Sequence, residues 1–202
     1  MKLLAAIGLG ILLLLQPVLA AAGEPGEQVR QTVDNLLATL KDPGLAGESN
    51  KNERRQQLKQ LINQRFDFTE MAKRSLGPEW RRRSPAQQKE FVQLFGDLLE
   101  RTYLDQIESY SREKVRYLDQ RADGPYAKVA TKIVDSKGQE YAVDYRLHNV
   151  NGDWKVYDVV IEDVSLVNNY RAQFSRVLTK SSFEELLDAM KQSSEAATPR
   201  TT

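Results

Sequence analysis

The chain has 202 residues, a formal net charge of +1, one histidine and no cysteine. This length suggests one domain with at most a small appendage, and 41% hydrophobic against 28% charged residues predicts a folded core. The lack of cysteine excludes disulfides, thiol catalysis and cysteine-ligated zinc, and a single histidine excludes a histidine-rich metal site. The near-zero charge argues against a strongly basic nucleic-acid binder. No metal, cofactor or nucleic acid is therefore expected.

The N-terminus has the pattern of a cleavable export signal. Lys2 precedes an apolar run over 3–15, which Gln16 and Pro17 end before a stretch rich in alanine. A positive start, a short apolar run and small residues are typical of signal peptides. The run is also shorter than the ~20 residues that span a bilayer. We therefore predict that residues 1–22 are a signal peptide.

Removal of this signal changes what the composition means. It takes away one lysine and no acid, so the remaining chain is formally neutral. Beyond it the sequence has no second apolar run of membrane length. We expect one α+β domain over 23–192, a disordered polar tail over 193–202, and export to a bacterial periplasm.

Helical periodicity dominates both ends of the remaining chain. Amphipathic helices are predicted over 26–40, about 51–65, 85–110, 165–178 and about 183–190, with a short apolar segment over 66–76 that ends at Gly77-Pro78. Ser84 and Gln87 form a predicted capping box, with proline at the first helical position. The helix that they open is the longest and most aromatic in the chain.

The middle of the chain changes to a period of two. Four strands are predicted, over 115–119, 126–134, 140–147 and 154–161. Short turns join them, including the hairpin signal Asn151-Gly152, so the strands must pair in antiparallel fashion. One face is apolar, and the other carries Lys128, Lys132, Asp144 and Arg146. The fold class is therefore α+β: a four-stranded antiparallel meander sheet packed against helices from both ends of the chain.

Few residues suggest catalysis. The sequence contains neither a phosphate-binding P-loop nor a dinucleotide-binding glycine motif. His148 lies near a hairpin without a nucleophile elbow, and we interpret it as an ordinary surface or turn histidine. Asp158 is the most unusual carboxylate, because it lies in an apolar strand. The run 81–83, three arginines, fits either a solvated loop or contact with an acidic partner or anionic headgroup.

Several blocks are distinctive in combination. They are Phe68…Met71-Ala72…Leu76-Gly77…Trp80, Ser84-Pro85-Ala86-Gln87…Phe91…Phe95…Leu98…Thr102-Tyr103, Asp144-Tyr145-Arg146-Leu147, Trp154-Lys155-Val156-Tyr157-Asp158-Val159 and Val164-Ser165-Leu166-Val167-Asn168-Asn169-Tyr170-Arg171-Ala172-Gln173-Phe174. In this order they resemble the MlaC family, also called the toluene-tolerance auxiliary family, and the resemblance covers about residues 28–190. One departure is Asp163, where family members commonly have glycine.

The resemblance implies a periplasmic phospholipid carrier with no catalytic activity. Members of the family hold acyl chains in an apolar cavity between helices and an NTF2-like or cystatin-like sheet. They exchange lipid with an outer-membrane lipoprotein complex and with an inner-membrane ABC transporter that has an MCE-domain subunit. A monomer is expected. The physics agrees, since two acyl chains carry about 30 methylenes, each worth about 0.8 kcal/mol on leaving water.

The lipid-binding residues that we predict under this resemblance come from both halves of the fold. The helices contribute Phe68, Met71, Phe95, Leu99 and Tyr103. The sheet contributes Val129, Ile133, Val143 and Tyr145, and Val167 and Tyr170 close the lower edge. Periodicity alone favours an ordinary packed core, so the cavity rests on the resemblance.

Two other functions compete with the carrier. Small α+β folds with an apolar pocket can host isomerase chemistry with a carboxylate base and a tyrosine donor. Asp158 and Tyr103 would be that pair here. Alternatively, the protein is an envelope chaperone that binds protein segments in the same groove.

Overall fold

The computed structural model describes residues 23–110 and 113–195. The predicted signal peptide, 1–22, lies outside these residues. The helices are α1 (Pro25–Lys41), α2 (Lys51–Arg65), α3 (Phe68–Leu76), α4 (Pro85–Ser109), α5 (Leu166–Leu178) and α6 (Phe183–Glu195). The strands are β1 (Lys114–Asp123), β2 (Tyr126–Val134), β3 (Glu140–Val150), β4 (Asp153–Ile161) and β5 (Val164–Ser165). Helix α6 extends into the predicted tail, whose residues 196–202 are outside the described range.

The strands form one antiparallel meander in the order β1-β2-β3-β4-β5. The α+β class is confirmed, but the sheet has five strands where the sequence predicted four. Strand β5 was missed because two residues are too few to show alternation. It pairs with the end of β4, where Ile161 lies opposite Val164.

The register gives the sheet two distinct faces. The inner face, defined by the residues aligned through the pairing, holds Val115, Tyr117, Gln120, Ala122, Ala127, Val129, Thr131, Ile133, Tyr141, Val143, Tyr145, Leu147, Asn149, Trp154, Val156, Val159, Ile161 and Val164. Register shifts leave Leu118 in β1 and Tyr157 in β4 as extra residues. The second bulge lets Val156 and Val159, an odd distance apart, lie on the same face.

The apolar side chains pack in two clusters. The sheet cluster joins one end of the inner face to Val29 of α1, which is 1% exposed. The helical cluster lies among α3, α4, α5 and α6, and its aromatic rings interlock, with Phe95 and Tyr170 edge to face at 5.3 Å. Phe66 packs against both clusters and bridges to Val156 at the edge of β4. The helical cluster therefore sits beside the sheet, and α1 covers the inner face.

The predicted helix start at Ser84 is confirmed. Its hydroxyl accepts a hydrogen bond from the backbone N–H of Gln87, and the Gln87 side chain accepts one from the backbone N–H of Ser84. These reciprocal bonds satisfy two donors that the helix itself cannot pair. The start of the long helix α4 is therefore fixed locally by sequence.

The turn between β4 and β5 has two residues in the left-handed region. Glu162 has φ 45° and Asp163 has φ 63°. This conformation is disfavoured for residues with a Cβ atom and free for glycine. A glycine would therefore be free of this strain at the position of Asp163.

Asp163→Gly is accordingly expected to stabilise the protein. Relief of the left-handed strain exceeds the added entropy of the unfolded chain by about 0.5–1 kcal/mol, which raises Tm by roughly 1–4 °C. Thermal unfolding followed by circular dichroism measures the shift. The converse change Gly138→Asp, at φ 83°, is expected to lower Tm, and an unchanged Tm in Asp163→Gly would contradict the account.

Candidate functional site

The inner face of the sheet is closed at one end and open at the other. At the closed end Ala127, Leu147 and Val156 are buried against α1 and Phe66. At the open end Tyr141 is 36% exposed, Ile161 40% and Val164 59%. An apolar strip thus continues from the core to the surface, with hydroxyl-bearing side chains in the middle of the face. Such an exposed apolar strip is a candidate binding surface.

Half-buried apolar side chains on the neighbouring helices accompany this face. They lie outside both core clusters and are Leu36, Leu37 and Leu40 of α1, Leu61 and Ile62 of α2, and Ile107 of α4. Helix α1 reaches the sheet through its packing on the closed end. Helix α4 reaches it through its C-cap residue Tyr110, which interacts electrostatically with Tyr145. We define the inner groove as the inner face of the sheet together with these half-buried side chains of α1, α2 and the end of α4.

Ion pairs join α2 to α4 along this groove. Lys59 Nζ lies 2.8 Å from Glu100 Oε2, and Arg54 Nη2 lies 2.9 Å from Glu108 Oε1. Arg55 also pairs with Glu108, at 2.6 Å, and this partnership raises its pKa above the usual value. Because higher numbers in α2 face lower numbers in α4, the two helices run antiparallel. Together with the buried Leu58, these ion pairs hold the otherwise polar helix α2 in place.

A row of hydroxyl groups crosses the middle of the inner face. Tyr117, Thr131 and Tyr145 lie on β1, β2 and β3, and Tyr117 and Thr131 are direct cross-strand partners. Thr131 Oγ1 donates to the backbone carbonyl of Val143 at 2.7 Å. Burial raises the pKa of Tyr145, which is in hydrogen-bonding contact with Thr131, to about 12. The Tyr117 hydroxyl is buried and has no hydrogen-bond partner.

The structure divides the predicted lipid-binding residues into two groups. Met71, Phe95, Leu99, Val167 and Tyr170 are buried within the helical cluster, and Phe68 and Tyr103 pack against it. Those side chains contact one another and present little free surface in this conformation. Val129, Ile133, Val143 and Tyr145 lie together on the inner face. The sheet residues are therefore the ones that the structure brings to the inner groove.

Four further groove residues were not in the predicted set. Tyr117, Tyr141, Ile161 and Val164 all lie on the inner face. Alternation in the first predicted strand gives a signal for Tyr117, which follows Val115 by two residues. No comparable signal exists for Val164, because its strand is too short.

The two residues of the hypothetical catalytic pair both have structural partners. Asp158 is 2% exposed; one of its oxygens accepts from the N–H of Val167 at 3.0 Å, and the other accepts from Ser165 and Arg146. This carboxylate thereby caps the start of α5. Tyr103 hydrogen-bonds with Tyr170, and burial raises its pKa to about 12. Both groups are accounted for by packing and capping.

The single histidine is placed differently from its prediction. His148 lies within β3, half-buried, rather than on the surface or in a turn. Its Nε2 lies 3.0 Å from Oδ2 of Asp67, the residue that caps α3. Hairpin proximity in sequence could not reveal this partner. Within residues 23–110 and 113–195, no group of three or more acidic or histidine side chains is arranged to hold a metal ion.

The arginine run 81–83 is partly internal. Arg82 and Arg83 both pair with Glu79, at 2.8 Å each, and Arg83 lies over the ring of Phe183. Only Arg81 and Arg82 are exposed. The run therefore helps to fix the turn before α4, besides giving surface charge.

Other surface features do not suit acyl chains. An open groove of about 410 Å³ lies between the start of α1 and the bulge of β1. Its walls are mostly polar and charged, with Glu24, Glu27, Arg30 and Asp119, and they also include part of Tyr117 and Leu118. Charged walls do not favour a hydrocarbon ligand.

In the part of the chain that the structure describes, every helix is too short or too polar to cross a bilayer.

Comparison with known proteins finds relatives that are named for toluene tolerance and for phospholipid transport. The family model described as MlaC protein matches residues 30–192. The toluene tolerance protein Ttg2D of Pseudomonas putida is 27% identical over 177 residues, which cover 86% of this chain and 82% of that protein. The intermembrane phospholipid transport system binding protein MlaC of Haemophilus influenzae is 28% identical over 123 residues, 58% of each chain.

A solved structure is similar over nearly its whole length. It is the phospholipid-binding protein of Ralstonia solanacearum in complex with a phospholipid, which is 28% identical to this chain. The TM-score is 0.74, and the match covers 86% of this chain and 98% of that one. The shared architecture therefore includes a protein that holds a phospholipid.

Proposed function

The chain belongs to the MlaC family, and we propose that it is a periplasmic phospholipid carrier. It shuttles lipid between outer-membrane and inner-membrane components of an ABC transport system, without catalysing a reaction. A relative named for intermembrane phospholipid transport and a structural neighbour that binds a phospholipid support this proposal. The signal-peptide pattern of residues 1–22 supports the periplasmic location.

The observation that carries the proposal is the apolar strip of the inner groove. It is continuous from the buried Val156 to the exposed Val164 and Ile161. A lipid can therefore enter with its acyl chains on an apolar surface and its headgroup in water. About 30 methylenes at about 0.8 kcal/mol each would resist crossing water unshielded.

Transfer by such a groove needs no catalytic group. A bilayer interior and an apolar groove solvate hydrocarbon similarly, so exchange between them is nearly isoenergetic. The direction of transport must then come from the partners. We expect an inner-membrane ABC transporter with an MCE-domain subunit on one side and an outer-membrane lipoprotein complex on the other. The chain itself is expected to act as a monomer.

Native mass spectrometry of the full chain tests the proposal. The protein is expressed in a Gram-negative host, purified from the periplasm without detergent, and released into the gas phase. One or two bound phospholipids are the expected result. The same protein should move a fluorescent phospholipid from donor to acceptor vesicles well above the spontaneous rate.

The competing functions give different outcomes of this experiment. Co-purified peptides in place of phospholipid would identify a chaperone. Conversion of added phospholipid to a product of new mass would identify an enzyme. Protein that carries no phospholipid, and takes none from vesicles, would overturn the carrier function.

A further inference from the structure

The hydroxyl row of the inner groove is unusual for a surface that holds hydrocarbon. The row consists of Tyr117, Thr131 and Tyr145, and Thr131 is 1% exposed. Thr131 and Tyr145 satisfy each other and the carbonyl of Val143. Tyr117 alone keeps a buried donor without an acceptor. A buried donor without an acceptor is destabilising and rare in native proteins, so it calls for an explanation.

The packing around Tyr117 fixes the direction of its hydroxyl group. The ring of Tyr117 packs against the sheet cluster. The guanidinium carbon of Arg30 lies over the ring, 4.3 Å from its centroid. The bulge at Leu118 follows immediately, and bulges commonly re-aim a neighbouring side chain. The hydroxyl is thus fixed by packing on both faces of its ring.

The distance from the open end indicates which part of a lipid reaches this row. Thr131 precedes Ile133 by two residues, and Ile133 pairs with the exposed Tyr141 at the rim. At about 3.3 Å per residue, the row lies about 7 Å inside the rim. A lipid whose headgroup stays in water places its glycerol esters at about this depth, well above its chain ends.

The burial of the Tyr117 hydroxyl favours a neutral acceptor. Its oxygen is buried, and burial is also the main cause of its raised pKa, with a smaller contribution from the Asp34 carboxylate and an opposing one from Arg30. A phosphate or carboxylate would lose its hydration at such a buried position. An ester carbonyl is neutral and accepts hydrogen bonds without donating any.

We infer that the Tyr117 hydroxyl, backed by Thr131 and Tyr145, donates a hydrogen bond to an ester carbonyl of the bound lipid. The inference rests on the proposed carrier function and adds a selectivity to it. The groove then distinguishes ester-linked glycerolipids from ether-linked lipids of the same length. The hydrogen bond also sets how deep the acyl chains sit.

A competition between two synthetic lipids tests the inference. The full chain is incubated with vesicles that contain equal parts of dipalmitoyl phosphatidylcholine and its dihexadecyl diether analogue. Native mass spectrometry then identifies the bound lipids by their masses and gives the ratio of the two forms. The natural chain should favour the diester about two- to tenfold, the effect of one neutral hydrogen bond. Tyr117→Phe should load lipid but take both forms equally.

Tyr126→Phe is the matched control. Tyr126 is 46% exposed and lies one residue before the inner-face position Ala127, on the opposite face. It should keep the ester preference. Tyr117→Phe should also unfold at a Tm no lower than that of the natural chain, because it removes only an unpartnered hydroxyl.

The outcomes separate this inference from the carrier function. Equal uptake of both lipids by the natural chain, or an ester preference that survives in Tyr117→Phe, would overturn the subsite alone. Failure of the natural chain to take up either lipid would overturn both.

Discussion

Ile133→Trp is expected to lower phospholipid loading by about five- to a hundredfold while the protein stays folded. Ile133 is half-buried on the inner face, between Thr131 and the open end. An indole there occupies the space through which acyl chains enter the inner groove. Forcing ring and chain to share it costs about 1–3 kcal/mol, the usual range for overpacking. Native mass spectrometry after incubation with vesicles measures the loaded fraction.

Val134→Trp provides the comparison for this change. Val134 is the next residue of β2, also half-buried, but on the outer face of the sheet. It should load lipid normally. If both tryptophan variants load alike, acyl chains do not use the inner groove. Circular dichroism of both variants confirms that loading, rather than folding, is compared.

Arg65→Ala is expected to lower the free energy of unfolding by about 3 kcal/mol. The Arg65 guanidinium, on a side chain only 14% exposed, ends α2 and donates to two other elements. Its contacts are Thr32 Oγ1 at 3.1 Å, Gln28 Oε1 at 2.7 Å, Asp153 Oδ1 at 2.7 Å and the Trp154 carbonyl at 2.6 Å. Alanine removes all four bonds. Gln28 Oε1 keeps the N–H of Trp154 and Asp153 keeps Lys155, but the Trp154 carbonyl loses this donor and the link between the elements is lost, so Tm should fall by roughly 6–12 °C.

Two substitutions show whether the stability comes from the hydrogen bonds by which Arg65 joins α2 to α1 and β4, called here the junction, or only from its charge. Arg65→Lys keeps the charge but lacks the planar fork that reaches several acceptors, so it should lose most of the same stability. Arg121→Ala removes an 85% exposed arginine that pairs with Asp119 at 3.4 Å and should change stability by less than about 0.5 kcal/mol. If Arg65→Ala and Arg121→Ala lowered Tm by the same amount in thermal unfolding, the structural role of the junction would be refuted.

Local patterns explain why much of the fold was predictable. The capping box at Ser84 and the turn Asn151-Gly152 act over two to four residues, and both are seen, with φ values of 54° and 94° in the turn. Alternation in β2 and β3 correctly put Val129 and Tyr145 on one apolar face. These features depend on neighbours along the chain, which a sequence displays directly.

The site was less predictable because apolar periodicity does not distinguish a filled core from an open groove. Phe95 and Ile133 both lie on apolar stripes, yet Phe95 is enclosed by Tyr170 and Phe174. Ile133 lies near the rim of the sheet. The difference is set by which elements cover each stripe, and that depends on contacts between residues far apart in sequence.

The amino-acid sequence by itself determined the order of helices and strands, the antiparallel pairing, and the absence of cysteine chemistry. It also carried the motifs of the MlaC family. Only the tertiary structure decided that Asp158 caps α5, that Arg65 joins α2 to α1 and β4, and that the inner face stays apolar to its open end. The physical reason is range: caps and turns form between near neighbours, whereas burial and hydrogen-bond partners across elements exist only once the chain has packed.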